Sequence, residues 1–242
     1  MKMRVYSRHI LFLVVSAALF MAAATGAKGC TLWAAAGDRV EGGGTLLAKN
    51  RDMPPQVSEL RIYTPKAGNR FLGLFHVKGA KSFPVAGVNE KGLAIVSATA
   101  SSIPRAERYA TGRGLNEKLL TAFDSVDGLL ASPDALSASH PTFYVVADRT
   151  KIAVIEIGPK GQVATKTENS GVLFHTNHYL DPKLLWVNER TGRSSQVRLD
   201  RIRELLASHA GPLTLEAFTA FSEDTKGGPD DGIWRTGSAP NK

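Results

Sequence analysis

Cys30 is the only cysteine in a chain of 242 residues, and a single cysteine has no internal partner for a disulfide. It stands in Gly26-Ala-Lys-Gly-Cys-Thr-Leu-Trp33, so a cut just before it would put a thiol and a free α-amine on one residue. An α-amine with a pKa of about 7.7–8.0 can take the proton of a nucleophilic side chain, and no histidine is then needed. Cationic neighbours would raise the thiolate fraction further. Such a nucleophile also needs a carboxylate to orient the amine and amide or backbone donors for the oxyanion that forms at the attacked carbonyl. Asp52, at the end of Asn50-Arg51-Asp52, suits the first task; its alternative is a solvated carboxylate at a strand end.

The residues before Cys30 decide whether this chemistry is available. Lys2, Arg4 and Arg8 precede an unbroken apolar run from Ile10 to Ala24 and then small residues. That is the order of a secretory signal, and a run of about 15 residues is short for a membrane-spanning helix of roughly 20. Two registers put small residues before the cut: Ala22 and Ala24, leaving Thr25 first, or Ala27 and Gly29, leaving Cys30 first. The second divides the chain into a leader of residues 1–29 and one domain of residues 30–242, with a secreted or periplasmic location and no stable membrane insertion once the leader is gone. A lipid-modified Cys30 is the competing reading, against which Lys28 counts.

Loss of the leader removes four basic and no acidic residues, taking the formal charge from +8 to +4. That mild excess, without basic clusters, argues against a nucleic-acid partner. The apolar share of 43% suits a full core.

The elements that would carry these residues are mostly short strands. Residues 31–37 and 44–52 flank the turn-rich Asp38–Gly44 and form a hairpin that returns the charged cluster to Cys30. Further strands are expected over 60–65, 71–77, two runs within 83–100 around Asn89–Gly92, 142–148, 151–158 and 172–179. Helical spacing marks 113–140 (Leu115, Leu119, Leu120, Phe123). It also marks 194–209, with Val197, Ile202, Leu205 and Leu206 on one side, and 213–224. The pattern predicts an α+β fold of antiparallel sheets covered by helices.

Cys30-Thr31, Leu47–Asp52, Gly87–Ser97, Val146–Gly161, His175-Thr-Asn-His-Tyr179 and Ser194–Leu206 together resemble the acyl-coenzyme A:6-aminopenicillanate acyltransferase family and its relatives, the choloylglycine hydrolases and penicillin V acylases. The resemblance runs from Cys30 to about Gly237. It implies an N-terminal-nucleophile (Ntn) hydrolase, a four-layer αββα sandwich that cleaves linear amides or transfers the acyl group, with no metal or organic cofactor. Carried over residue by residue, it makes Cys30 the nucleophile, Asp52 the carboxylate for the α-amine, Asn177 the oxyanion amide and Arg198 the active-site arginine. Lys49, Asn50, Asn89 and His178 fall on the substrate side.

Relatives carry glycine-arginine-asparagine-x-aspartate where this chain has Ala48-Lys-Asn-Arg-Asp52. The active-site cation is therefore Lys49 or Arg51, with Arg51 preferred, and strand alternation sets both on the face opposite to Asp52. Relatives also continue into further strands where this sequence stops, so an edge supplied by a partner, dispensable strands and a truncated product all stay open.

Plainer readings hold elsewhere. Residues three apart on a strand point to opposite faces, so His175 and His178 are structural rather than a metal pair. Gly42–Gly44 lacks the lysine and helix of a phosphate loop and is a turn. Arg201 and Arg203 suggest a solvated basic face on which only the family pattern singles out Arg198. Trp33, Phe71, Phe75 and Phe143 belong in the core. The expected activity is hydrolysis of a small-molecule N-acyl amide through a thioester. Acyl transfer to another amine, or a non-catalytic lipoprotein or binding relative anchored at Cys30, are the alternatives, and homo-oligomers are left open.

Overall fold

A computed structural model describes residues 29–53, 56–108 and 114–237. The expected leader, except Gly29, lies outside the described residues. Strand β1 (Gly29–Ala36) pairs antiparallel with β2 (Thr45–Asp52) and, on its other side, with β10 (Gly171–His175), giving a three-stranded sheet ordered β10-β1-β2. The second sheet runs β3 (Ser58–Tyr63), β4 (Phe71–Lys78), β5 (Lys81–Asn89), β6 (Ala94–Thr99), β7 (Thr142–Ala147), β8 (Ile152–Ile157) and β9 (Val163–Glu168), every neighbour antiparallel.

The expected hairpin forms with the predicted polarity. Gly42, Gly43 and Gly44 all have φ between 72° and 82°, left-handed values that glycine adopts without a Cβ clash. Strand β1 is buried along its whole length, because both of its faces are covered. Cys30, Leu32, Ala34 and Ala36 pack against Val96, Ala98, Phe143, Val145 and Val154 of the larger sheet. Trp33 and Ala35 face the other way, toward helices α5 (Arg193–Ser208) and α6 (Leu215–Ser222).

The outer face of the larger sheet is closed by α2 (Asn116–Ala122), α3 (Val126–Leu130) and α4 (Pro133–Ser137), whose Leu119, Leu120, Val126, Leu129 and Leu136 meet Ile95, Tyr144, Val146 and Ile155. A one-turn helix, α1 (Arg105–Arg108), lies in the connection before them. The layers are thus helix, sheet, sheet, helix, the α+β order that the sequence suggested. Each fully buried aromatic or branched side chain between the layers contributes roughly 1.5–3 kcal/mol, and Trp33, Phe71, Phe143 and Tyr144 are all of this kind.

Two local expectations are corrected. The strand over residues 172–179 ends at His175, since Asn177 and His178 turn away to bond with α5 instead of continuing the ladder. The buried face of α5 is also rotated from the predicted one. Ser194, Arg198, Ile202 and Leu206 form the buried stripe, with Ser195 and Leu199 beside it, while Val197 and Leu205 are only half-buried. The stripe is polar for its first turn and apolar beyond, because its start faces Cys30 and its end faces Trp33.

Candidate active site

The antiparallel register decides what surrounds the thiol. Cys30 lies opposite Arg51, Leu32 opposite Lys49 and Gly29 opposite Asp52. Directly opposed residues share a face and alternate residues along a strand keep it, so Cys30, Lys49 and Arg51 project together toward the larger sheet. Lys49 Nζ donates to the carbonyl of Val85 in β5 at 3.0 Å. Arg51 lies against the side-chain amide of Gln56, which, turned so that its oxygen accepts from Arg51, donates its nitrogen to His76 Nδ1. The charges of both cations couple to Cys30.

Asp52 and Asn50 point to the opposite, helix-covered face. The Asp52 carboxylate pairs with Arg235, and Asn50 Nδ2 donates to the carbonyls of Ser222 (2.7 Å) and Ile233 (3.1 Å). This face anchors the segment that follows α6.

Asn177 and Arg198 meet at the backbone of Cys30. The Cys30 N–H donates to Asn177 Oδ1 at 2.8 Å. Arg198 Nη2 donates to the same oxygen at 2.9 Å, and its Nη1 reaches the Cys30 carbonyl at 2.5 Å and Thr31 Oγ1 at 3.0 Å. Asn177 Nδ2 donates to the Thr99 carbonyl at 2.9 Å. With two donors at one end of the amide and a carbonyl at the other, its orientation is fixed. One Nδ2 hydrogen is used by Thr99.

Arg198 is 2% exposed. Burial lowers its pKa to about 10, opposed by Cys30 and reinforced by Arg235, so it stays cationic near neutral pH. The space around it is tight: a Cβ added to Gly29 would sit 2.3 Å from Arg198 Nη2 and 3.1 Å from Asn177 Oδ1.

Behind this cluster, Ser195 Oγ accepts from the Asn177 N–H at 2.9 Å and contacts His178 Nδ1 at 2.8 Å. Burial, with the neighbouring His175 acting in the same direction, pushes the His178 pKa down to about 4. His175 is held against Glu156, whose Oε1 lies 3.1 Å from Nε2 and also accepts from the N–H groups of Leu180 and Asp181. Neither imidazole is bonded to the Cys30 group.

Asn89, placed on the substrate side by the sequence, makes its bonds to the carbonyls of Leu120 and Phe123 and to the N–H groups of Lys91 and Leu93. The structure therefore brings Cys30, Lys49, Arg51, Asn177 and Arg198 together. Asp52 and Asn50 lie across the hairpin, His178 behind Ser195, and Asn89 in its own turn. Sequence reasoning gave no site role to Thr31, Ser194, Ser195 or Arg235, although the first three fall in the stretches that carry the family resemblance.

Among the described residues no cluster of three or more His, Cys, Asp or Glu side chains could hold a metal ion, and no helix is long and apolar enough to cross a membrane. A cavity of about 430 Å³ opens at the other edge of the sandwich, lined by Glu156, His175, Lys166, Asp181 and Arg203 among others, and does not include Cys30.

The fold and this cluster define a two-sheet α+β protein with a cysteine held among cations at the start of a central strand. The chain belongs to the acyl-coenzyme A:6-aminopenicillanic acid acyl-transferase family, whose model matches residues 39–242. That match contains Asp52, Asn177 and Arg198 and begins after Cys30. Searches among curated proteins gave no match. Among solved structures, a mutant of conjugated bile acid hydrolase from Clostridium perfringens aligns over 64% of this chain and 54% of its own, with a TM-score of 0.43 and 17% identity. A second variant of that hydrolase from the same organism aligns over 64% and 47%, with a TM-score of 0.35 and 14% identity. The chain thus spans about half the length of the solved structures it matches.

Proposed function

We propose that this protein is an exported cysteine-nucleophile amidohydrolase acting on linear N-acyl amides of small molecules, after removal of residues 1–29 exposes the α-amine of Cys30. The observation that carries the reading is the bond from the Cys30 nitrogen to Asn177 Oδ1 at 2.8 Å. A nitrogen held there would, once freed, be positioned as an amine by Asn177 beside its own thiol, with the Arg198 guanidinium bracing both partners. Membership of an acyltransferase family supports acyl chemistry in general.

The thiolate would attack the acyl carbonyl, and the second Nδ2 hydrogen of Asn177 would meet the oxyanion. Collapse of the tetrahedral intermediate breaks the C–N bond, the α-ammonium gives its proton to the leaving amine, and a thioester remains on Cys30. Water, activated by the α-amine, would then release the acid. Asp52 would contribute through its charge, which acts on Arg198, rather than by contact with the thiol.

Two measurements test this reading. The exported protein should begin at an unmodified Cys30 by intact mass, and brief exposure to a chromogenic N-acyl p-nitroanilide should add one acyl group to it. A start at Thr25, or acyl chains present before substrate, would end the proposal. Acyl transfer is the second reading, favoured by the activity for which the family is named. It predicts that an added amine diverts product from free acid to a new amide.

A further inference from the structure

Two cations face Cys30, and neither has an anion of its own. Among the described residues Lys49 and Arg51 have no carboxylate partner. Lys49 donates to a carbonyl, Arg51 meets a neutral amide, and Asp52, their neighbour in sequence, is turned across the hairpin to Arg235. Buried charges are normally paired, and the group facing both of these is the Cys30 thiol.

The two cations differ in chemistry. A guanidinium keeps its proton throughout the working range, whereas a lysine in low-polarity surroundings exchanges its own. The register places Lys49 one pair beyond Arg51 on the same face, a diagonal position that a long side chain can span.

We propose that Lys49 is the proton acceptor for Cys30, so that the thiolate forms beside an ammonium on the neighbouring strand whether or not the α-amine has been freed. The proposal rests on Cys30 being the nucleophile. In the step, the S–H bond breaks, its proton forms a third N–H bond on the unprotonated form of Lys49 Nζ, and a thiolate–ammonium pair results with no external reagent; the α-ammonium of the shorter form carries a separate proton, the one given to the leaving amine. Arg51 from β2 and Arg198 from α5 supply fixed positive charge, the Val85 carbonyl from β5 orients the ammonium, and Asp52 is neutralised by Arg235 on the far face. Burial lowers the pKa of Lys49, with Arg51 acting in the same direction and Cys30 opposing both. This is the direction that frees the amine to accept a proton.

The test is the rate of Cys30 alkylation by iodoacetamide from pH 5 to 10, followed by mass, in the leader-bearing protein and in the form that starts at Cys30. Wild type, Lys49→Met and Lys49→Arg are compared in each, together with p-nitroanilide turnover by the shorter form. Lys49→Met should slow alkylation at pH 7 by roughly tenfold or more and move its inflection upward by about one unit or more in both forms. Lys49→Arg should restore alkylation, because the charge is kept, while turnover stays roughly tenfold or more below wild type because no proton can be exchanged. Wild-type alkylation in Lys49→Met, or full turnover in Lys49→Arg, overturns the proposal. Absence of turnover in wild type would refute the amidohydrolase reading alone, since alkylation of the leader-bearing protein tests the Lys49 pair without a substrate.

Discussion

The two faces of the β1–β2 hairpin are built from the same eight-residue strands and solve opposite problems. On the helix-covered face the polar side chains of β2 are matched: Asp52 with Arg235, Asn50 with two carbonyls. On the sheet-facing side Lys49 and Arg51 crowd a thiol with no carboxylate near them. Compensated charge serves to fasten the chain, whereas uncompensated charge raises the reactivity of whatever group must balance it. Asp52, though next to Arg51 in sequence, lies on the fastening side, from where its charge also acts on Arg198.

Variants on the two faces should therefore fail in different ways. Cys30→Ala should abolish turnover, by roughly a thousandfold or more, while its urea midpoint shifts only by the loss of one small buried side chain. Full activity in that variant would erase the contrast. Arg198→Met crosses both categories, since it strips bonds from the Cys30 carbonyl and from Asn177. It should cost about 3 kcal/mol in urea denaturation as well as turnover.

Asp52→Asn leaves Arg235, whose side chain is 4% exposed, without its carboxylate. It should cost about 2 kcal/mol, with iodoacetamide reactivity of Cys30 nearly unchanged. A large change in that reactivity would mean that the faces communicate. Asn50→Ala should cost about 1 kcal/mol by the same measurement and leave alkylation untouched.

Acid sharpens the comparison behind the site. His178 has a folded-state pKa of about 4, below its unfolded value, so between about pH 6.5 and 4 the unfolded chain binds a proton that the folded one refuses. Stability should fall across that window as pH drops, on the order of 2 kcal/mol after allowing for partial solvation. His175, Arg198, Glu156 and Asp200 set the remaining balance. Urea midpoints at pH 7 and pH 4.5 should converge in His178→Asn; an unchanged slope would assign the acid sensitivity elsewhere.

Much of this architecture could be read from residue patterns. Alternation and turn residues gave the hairpin and most strands, because their faces are buried by period-two packing. Strand β9 escaped because Val163–Glu168 is polar on its exposed side. His178 was misplaced because residues 172–179 keep a strand-like composition past the point where bonds to Ser195 take over from the ladder. Within the cluster, alternation alone set Lys49 and Arg51 apart from Asp52. Arg198 needed the family pattern, since Arg201 and Arg203 share its helix and composition. In the folded chain they bond to Asp224 and Asp200 instead. The pairing of Asp52 with Arg235 joins residues 183 positions apart, and no local signal reports it.

Gly29 gives the cluster one more property. Because a single methyl group at that position would press on Arg198 and Asn177, the cradle acts as a gauge for whatever precedes the nucleophile. Glycine at position 29 fits the cradle as it stands, and any other residue there would have to displace Arg198. On the proposed reading, the uncut chain would rehearse the geometry of the shorter one, and a cut before Cys30 would change the charge there without asking the sheet to move.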